Sequence, residues 1–228
     1  MENLRPDAKC QITYDEDSGK IRTIVISHQH VDSMYFGDFI NHARMAIRMA
    51  IPENLILPLE FLNHDDEYSL VEDKTFVFLN PTGRFVEGGP SADTGLSGRK
   101  IVVDTYGGVG KIGGGAFSGK DPSKVDRSAA YMCRYVAKNL VASGKCSKAE
   151  VSVAYAIRVA EPVQVSVNTF GTGNDAELTE YVRQKYDFKP KAIIEMLGLR
   201  NPEGWCYRDT ARNGHFTNCS FPWEKIEK

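Results

Sequence analysis

The sequence lacks the cysteine patterns that hold small secreted proteins or zinc domains together. Its five cysteines are odd in number, widely spaced and free of any CxxC pair. Such a set argues against a disulfide framework and against a structural zinc site, and it fits a reducing compartment. We therefore expect a cytoplasmic protein. The cysteines are Cys10, Cys133, Cys146, Cys206 and Cys219.

Long apolar runs, repeats and an excess of one charge are also missing. No apolar run reaches the about 20 residues of a transmembrane helix, and the polar start MENLRPDAK does not resemble a signal peptide. The 28 basic and 30 acidic residues give a net charge of -2, which offers no support for nucleic-acid binding. We expect a soluble globular protein without a nucleic-acid or membrane partner.

Glycine is concentrated in one stretch of the chain. Twelve of the 20 glycines fall between Gly83 and Asp126. Glycine lets a backbone turn sharply or approach a ligand closely. Combined with fixed cations and a few carboxylates, such a backbone suits a polyphosphate and its metal ion. A set of polar surface turns is the alternative. The charged residues are Arg84, Arg99, Lys100, Lys111, Lys120, Lys124, Asp93, Asp104, Asp121 and Asp126.

The residues before this stretch predict a small sheet with one helix. LRPDAK at 4–9 predicts a loop, and the alternating residues of 10–27 around DEDSGK predict a hairpin. Apolar residues at helical spacing predict a helix over 31–51. The polar residues of 53–74 predict an irregular connection, and TFVFL at 75–79 a buried strand.

Within the glycine-rich stretch, KIVVDT at 100–105 predicts another strand. Asp121 and Pro122 resemble the N-cap and first residue of a helix that ends near Gly144. Lys120 precedes this helix and Lys124 lies in its first turn, where the helix dipole disfavours cations. An anion bound at that end would explain them.

The C-terminal third predicts strands at 150–158 and 163–170, then helices at 174–186 and 190–197. The aromatic residues of 201–228 are expected to pack against the body of the protein. Together these elements predict an α/β fold of the α+β type. It contains repeated units in which helices cover one face of each sheet.

Three short motifs are near matches. GVGKIG at 108–113 fits GxGxxG, but no helix begins within it, as a dinucleotide site requires. GGAFSGK at 114–120 fits GxxxxGK, but Asp121 follows where a P-loop needs Ser or Thr. His28 and His30 form an HxH pair without nearby ligand partners, so a structural role is favoured over a metal site.

The sequence GGGAFSGKDPSKVDRS closely resembles a signature of the S-adenosylmethionine synthetase family. LRPDAK, NPTGRFVEGGPSADTGLSGRKIVVDTYGG, GHF and FPWE resemble other family segments, so the similarity extends over essentially the whole chain. It implies an incomplete central domain at 1–85 and a C-terminal domain at 86–228. The family's N-terminal GHPDK motif does not occur. The resemblance therefore implies a truncated or split form, or a fragment.

The resemblance also implies a reaction, in which methionine sulfur attacks C5′ of ATP. The triphosphate leaves and is cleaved to phosphate and pyrophosphate. Mg²⁺ and K⁺ are the implied cofactors, ATP and L-methionine the implied substrates. By motif, the implied catalytic residues are Arg99, Lys120 and Lys124. The implied ATP contacts are Asp7, Lys9, Arg84, Phe85, Asp93, Arg99, Lys100, Ala116 and Lys120. The implied methionine contacts are Asp93 and Lys124, and the implied metal ligand is Asp126.

The family's architecture implies a homodimer or homotetramer, to which a separate N-terminal segment would be added in a split enzyme. Apolar sheet surface that a whole enzyme covers would be exposed here, so we expect poor solubility or association. A non-catalytic regulatory or interaction subunit that keeps nucleotide or polyphosphate binding is the alternative. Polyphosphate binding or hydrolysis alone is a third reading.

Overall fold

The computed structural model describes residues 3–63, 65–67, 69, 71–95 and 98–227. The chain forms two compact units, Met1–Gly95 and Leu96–Lys228, called here the first and the second unit. Across the described residues, no helix is long and apolar enough to cross a membrane.

The first unit contains one helix on a four-stranded sheet. Strands β1 and β2 are antiparallel, whereas β2, β4 and β3 run parallel to one another, in the order β1-β2-β4-β3. The helix packs its apolar face on β2 and β4, because their residues Ile24, Val77 and Leu79 are buried with Phe39 of the helix. The elements are β1 (Leu4–Asp15), β2 (Lys20–His30), α1 (Phe36–Ala50), β3 (Leu59–Leu62) and β4 (Thr75–Leu79).

The predictions of the hairpin, α1 and β4 are confirmed, but two others are wrong. LRPDAK is not a loop, because it forms the start of β1, where the pairing with β2 has an irregularity between Leu4 and Ala8. The connection 53–74 is not wholly irregular, since it contains β3. That strand pairs with β4, a partner that follows it in the sequence, and local composition does not reveal this pairing.

In its described residues, the second unit combines several helices with a two-stranded sheet and a large aromatic core. Helix α3 contributes Tyr131, Met132 and Val136, all fully buried. Tyr131 stacks on Trp223 of the C-terminal segment with ring centroids 3.7 Å apart, so the expectation that the terminal aromatics pack on the body is confirmed. The elements are α2 (Ile101–Asp104), α3 (Val125–Ala142), β5 (Glu150–Ala154), β6 (Gln164–Asn168), α4 (Asp175–Lys185), α5 (Pro190–Met196) and α6 (Tyr207–Thr210).

Two predictions in this unit are wrong. The expected strand 100–105 is the single turn α2, closed by a bond from the Asp104 N–H to the Lys100 carbonyl at 2.8 Å. The long helix α3 begins at Val125, with Lys124 as its N-cap, rather than at Pro122. The Asp121 carboxylate instead accepts the Ser123 N–H at 2.8 Å, and this local turn competes with helix initiation.

Helix α4 protects the free edge of strand β6. Asp175 and Thr179 accept the N–H groups of Thr169 at 2.8 Å and Val167 at 3.0 Å, and Arg183 donates to the Val165 carbonyl at 2.8 Å. Four helical residues rise about 6 Å, close to the about 6.7 Å of two strand residues. Side chains four residues apart on α4 therefore form hydrogen bonds with alternate backbone groups along β6, which would otherwise be open to pairing with another strand.

We expect Thr179→Val to destabilise the second unit by about 1–3 kcal/mol, because it leaves the buried Val167 N–H without an acceptor. Denaturant unfolding, monitored by tryptophan fluorescence, measures this free energy, since Trp205 and Trp223 both lie in this unit. Ser152→Ala, which removes an exposed hydroxyl from β5, is the control. Equal stability of Thr179→Val and the parent would contradict the protective role of α4.

Candidate functional site

In the first unit, two of the family-matched residues, Asp7 and Phe85, lie next to Gly88. The Asp7 carboxylate accepts the Gly89 N–H at 2.7 Å. A Cβ placed on Gly88 would lie 2.9 Å from the side chains of Gln29 and Phe85 and 3.0 Å from Asp7. Only glycine fits there without displacing them, so the structure brings Asp7 and Phe85 together at this position.

The end of β2 fixes the backbone at Phe85. The His30 N–H donates to the Phe85 carbonyl at 2.9 Å, and the Phe85 N–H donates to His30 Nε2 at 3.2 Å. Gln29 donates to the Val86 carbonyl at 2.9 Å. His30 Nδ1 faces the Val31 carbonyl at 2.8 Å. His30 is therefore a structural residue, as favoured from the sequence.

The other predicted residues of this unit have looser surroundings. Arg84 is exposed and pairs with Asp32. Lys9 is exposed on β1. The exposed Asp93 follows a short 3-10 turn, and its N–H donates to the Gly89 carbonyl at 3.0 Å. Through this bond Asp93 shares its anchor, Gly89, with Asp7.

In the second unit, residues 113–120 form a segment called here the glycine loop. Its last four residues make a turn in which the Lys120 N–H donates to the Phe117 carbonyl at 3.1 Å. Gly119 has a φ of 86° at the third position of this turn, where a type II turn demands glycine. The turn exposes the Lys120 ammonium, which pairs with the Asp126 carboxylate at 2.6 Å.

A second close approach places Asp126. A Cβ on Gly115 would lie 2.2–2.6 Å from the Asp126 carboxyl group. The carboxylate therefore lies directly against the backbone of the glycine loop. Ala116, predicted to line the site, is the next residue and is half-buried. The absence of a side chain at Gly115 is thus what permits the Lys120–Asp126 pair.

Arg99 and Lys100 adjoin the same loop. Gly98, with a φ of 76°, is so close to the loop that an added Cβ would lie 2.9 Å from the Ser118 Cβ. Arg99 and Lys100 follow it, both exposed. Lys124 pairs with Asp121 at 3.6 Å. Arg99 and Lys100 therefore follow a residue that packs against the glycine loop, whereas Lys120 ends the loop and Lys124 lies four residues after it.

A buried arginine anchors the glycine loop. Arg127 is 3% exposed, and it donates to the Lys120 carbonyl at 2.8 Å, to Tyr131 Oη at 3.0 Å and to Thr210 Oγ1 at 3.0 Å. Its guanidinium also lies 4.3 Å from the ring centroid of Tyr207. A buried cation needs such partners, so the loop position is tied to the packing of α3.

His215 continues this cluster. It is fully buried, with Nδ1 2.6 Å from Tyr131 Oη and Nε2 3.5 Å from Ser118 Oγ. Its N–H donates to the Asp104 carbonyl at 2.8 Å. Burial, and then the charge of Arg127, lower the pKa of His215 from 6.5 to about 4, so the ring is neutral near pH 7.

Sequence reasoning did not identify Arg127, Tyr131 and His215 as supports of the site. Arg127 and Tyr131 stand four residues apart on α3, a spacing shared by many helical pairs. In the sequence, His215 is marked only by its place in the family segment GHF. The contacts that join it to Tyr131 and Ser118 span 84 and 97 residues of sequence, and local patterns carry no such information.

Metal coordination in the described residues is limited. No group of three or more His, Cys, Asp or Glu side chains among them is arranged to hold a metal ion. Asp126 is a single half-exposed carboxylate that pairs with Lys120. Mg²⁺ in nucleotide sites commonly uses one or two carboxylates and takes its other ligands from water and phosphate. The donor at Asp126 is compatible with that type of binding.

Comparison with known proteins gives a consistent picture for both units. Residues 1–85 match the family model described as S-adenosylmethionine synthetase, central domain. Residues 87–225 match the one described as S-adenosylmethionine synthetase, C-terminal domain. These matches agree with the resemblance found in the sequence.

Two individual proteins show the same similarity over part of their length. The chain is 50% identical over 235 aligned positions to an S-adenosylmethionine synthase from Chlorobium phaeobacteroides, covering 100% of this chain and 56% of that protein. It superposes on an unusual S-adenosylmethionine synthetase from Campylobacter jejuni with a TM-score of 0.84 and 36% identity, covering 98% of this chain and 58% of the other. The chain thus spans little more than half of these relatives.

We expect the stability of the second unit to fall as the pH decreases from about 6.5 to about 4. A histidine whose pKa is lowered on folding takes up its proton first in the unfolded chain, which favours unfolding. The shift corresponds to a loss of about 3 kcal/mol. Denaturant unfolding at several pH values, followed by tryptophan fluorescence, measures the loss. His215→Gln should flatten the slope, and an identical slope in both proteins would contradict this assignment.

Proposed function

The chain belongs to the S-adenosylmethionine synthetase family, and from that premise we propose that it supplies the triphosphate-binding part of an enzyme that makes S-adenosylmethionine from ATP and L-methionine. The observation that carries the proposal is the close approach of Gly98, which precedes Arg99 and Lys100, to the glycine loop that ends at Lys120. Lys124 and Asp126 follow within six residues of the loop.

The proposed chemistry is an in-line displacement by the methionine sulfur at C5′ of ATP. Negative charge builds up on the departing triphosphate, so fixed cations accelerate the reaction if they are arranged before it begins. Arg99, Lys120 and Lys124 would provide that charge, and Lys100 would add to it. Glycine backbone allows the phosphates to approach the loop closely.

Mg²⁺ and K⁺ are the proposed cofactors. Asp126 would contribute one oxygen ligand to Mg²⁺, since its carboxylate is half-exposed at the edge of the glycine loop. Bound Mg²⁺ would supply positive charge for the phosphate oxygens. Asp126 also pairs with Lys120, so the site already combines an acid with the cation that would face the phosphates.

The first unit is proposed to recognise the adenosine and methionine parts of the substrates. Phe85 would provide an aromatic wall for adenosine, and Arg84 would lie beside it. Asp7 and Lys9 would contact ATP. Asp93 would be shared between ATP and the methionine amino group. A contact with methionine is also proposed for Lys124. The close packing around Gly88, which fixes Asp7 and Phe85, supports this assignment.

The domain division, location and assembly are proposed from the family. Residues 1–85 would form an incomplete central domain and 86–228 the C-terminal domain; the matched segments 1–85 and 87–225 support this boundary. We propose a cytoplasmic protein that forms a homodimer or homotetramer. A segment that bears the family's N-terminal GHPDK motif is a further proposed partner.

A non-catalytic subunit that retains polyphosphate binding is the second candidate. The observation in its favour is that the cations and the carboxylate at the glycine loop all lie in the second unit, and binding of polyphosphate needs only these groups and a metal ion. The two candidates share the glycine loop and differ in whether product forms.

Magnesium tripolyphosphate is the direct probe of the proposed site. We expect Lys120→Met to weaken its binding about ten- to a hundredfold, as loss of a charged hydrogen bond does. Lys111→Met is the matched control, because Lys111 lies in the same stretch but pairs with Glu150 at 3.1 Å. Isothermal titration calorimetry measures the affinities. Equal losses in the two variants would show general charge attraction instead of a site.

Formation of S-adenosylmethionine distinguishes the two candidates. Purified chain is supplied with ATP, methionine, Mg²⁺ and K⁺, with and without a GHPDK-bearing N-terminal segment of a relative, and the product is read by mass spectrometry. Product only with the segment supports a split or truncated enzyme. Binding of tripolyphosphate without product in either mixture supports the non-catalytic subunit.

The close approach at Gly115 gives an independent test of the proposed metal ligand. Gly115→Ala should push the Asp126 carboxylate away from the loop, since the new Cβ would lie 2.2 Å from its carboxyl carbon. We expect the factor by which Mg²⁺ strengthens tripolyphosphate binding to fall about tenfold, which is the scale of one lost charged contact. Gly113→Ala is the control, because nothing lies within 4 Å of a Cβ there. An unaltered Mg²⁺ dependence in Gly115→Ala would remove Asp126 as a candidate.

A further inference from the structure

We propose that Tyr131 and His215 are positioning residues for the glycine loop. They form a one-way chain of hydrogen bonds that starts at Arg127 and ends at Ser118, two residues before Lys120. The consequence for polyphosphate rests on the proposed function above. The chain of bonds itself rests only on the geometry of the second unit.

The direction of the chain follows from the donors available. A guanidinium only donates hydrogen bonds, so Tyr131 Oη accepts from Arg127 Nε at 3.0 Å. The tyrosine proton is then free to point to His215 Nδ1, 2.6 Å away. Because Nδ1 accepts, a neutral imidazole carries its proton on Nε2.

The far end of the chain meets the glycine loop. His215 Nε2 lies 3.5 Å from Ser118 Oγ, so the Nε2–H tautomer directs its proton to that hydroxyl. In the opposite tautomer Nε2 would accept from the Ser118 hydroxyl, and Nδ1–H would compete with Arg127 as a second donor to Tyr131 Oη. The permanent donor at Arg127 therefore favours the tautomer in which Nε2–H faces Ser118.

Burial isolates this chain from water. Tyr131 and His215 are fully buried, and Arg127 is 3% exposed. Burial raises the pKa of Tyr131 to about 12 and lowers that of His215 to about 4. Throughout the usual pH range both groups thus keep the neutral forms that the chain of hydrogen bonds needs.

Three of the four residues in the turn contact this cluster. The ring of Phe117 meets His215 edge to face at 4.9 Å, and Ser118 faces Nε2. The Lys120 carbonyl accepts from Arg127 at 2.8 Å. Loss of one link would therefore loosen the turn without exposing a new cavity.

The tautomer of His215 is the first test, read from the ¹⁵N shifts of the ring in the full chain. We expect protonated Nε2 and unprotonated Nδ1. Tyr131→Phe removes the hydroxyl and keeps the ring that stacks on Trp223. The variant should leave the His215 ring as a mixture of both neutral tautomers. Hydrogen exchange of the Lys120 amide should become about ten times faster, which is the scale of one lost hydrogen bond. A protonated Nδ1 in the parent overturns the proposal.

Two further variants separate positioning from general loosening. Ser118→Ala should leave the tautomer unchanged and speed exchange of the Lys120 amide. Tyr135→Phe removes a hydroxyl one turn further along α3, where it donates to Glu227 at 3.1 Å, and should change neither reading. An effect of Tyr135→Phe as large as that of Tyr131→Phe overturns the proposal.

Affinity for magnesium tripolyphosphate links the chain of bonds to the site. Tyr131→Phe and Ser118→Ala should weaken it about three- to tenfold, and Tyr135→Phe should not. Unchanged affinity in the first two variants overturns the positioning role. Failure of the parent to bind tripolyphosphate contradicts the proposed function, and the tautomer and exchange readings then still decide whether the chain holds the loop.

Discussion

Burial of the Arg127 guanidinium is the constraint on which the second unit depends. A charge removed from water costs several kcal/mol unless hydrogen bonds and nearby electron-rich groups compensate it. Its acceptors come from three separate segments: the Lys120 carbonyl of the glycine loop, Tyr131 of α3 and Thr210 of α6. The charge can be buried only when all three segments are in place. Folding of the core and shaping of the glycine loop are therefore one event.

The first unit uses neutral groups for the same purpose. Asn80 is buried with a φ of 42°, a conformation that asparagine tolerates better than most residues. Its amide exchanges hydrogen bonds with the His28 backbone at 2.8 and 3.2 Å, which directs the chain after β4 back along β2. His30 and Gln29 then fix the backbone of Phe85 and Val86. The positions of the exposed family-matched residues of this unit are therefore set by a backbone that the ends of the strands hold in place.

Prediction from sequence succeeded where the signal was local and failed where a distant partner decided the structure. The apolar spacing in α1 and α3, the hairpin around DEDSGK and the buried TFVFL strand are local, and each is confirmed. Strand β3 depends on β4, and the short turn α2 replaces a strand for which the described residues provide no pairing. The start of α3 was misplaced because Asp121 bonds to Ser123 instead of capping the helix. The family motif brought attention to Lys120 and Asp126, but the supports at Arg127 and His215 required coordinates.

Two lysines at the glycine loop are paired with nearby acids, and this pairing bears on how an anion would bind. Lys120 pairs with Asp126 at 2.6 Å and Lys124 with Asp121 at 3.6 Å. The side chains are about one-third to two-thirds exposed, so water screens each pair and its contribution to stability is small. A polyphosphate offers these lysines stronger, multiply charged acceptors, and the cost of exchanging partners is correspondingly small. The acids keep neighbouring cations from repelling one another before binding, while the buried cluster around Arg127 fixes the backbone. An anchored backbone and weakly paired side chains are together the two properties that the polyphosphate site proposed above would need, and neither alone would be enough.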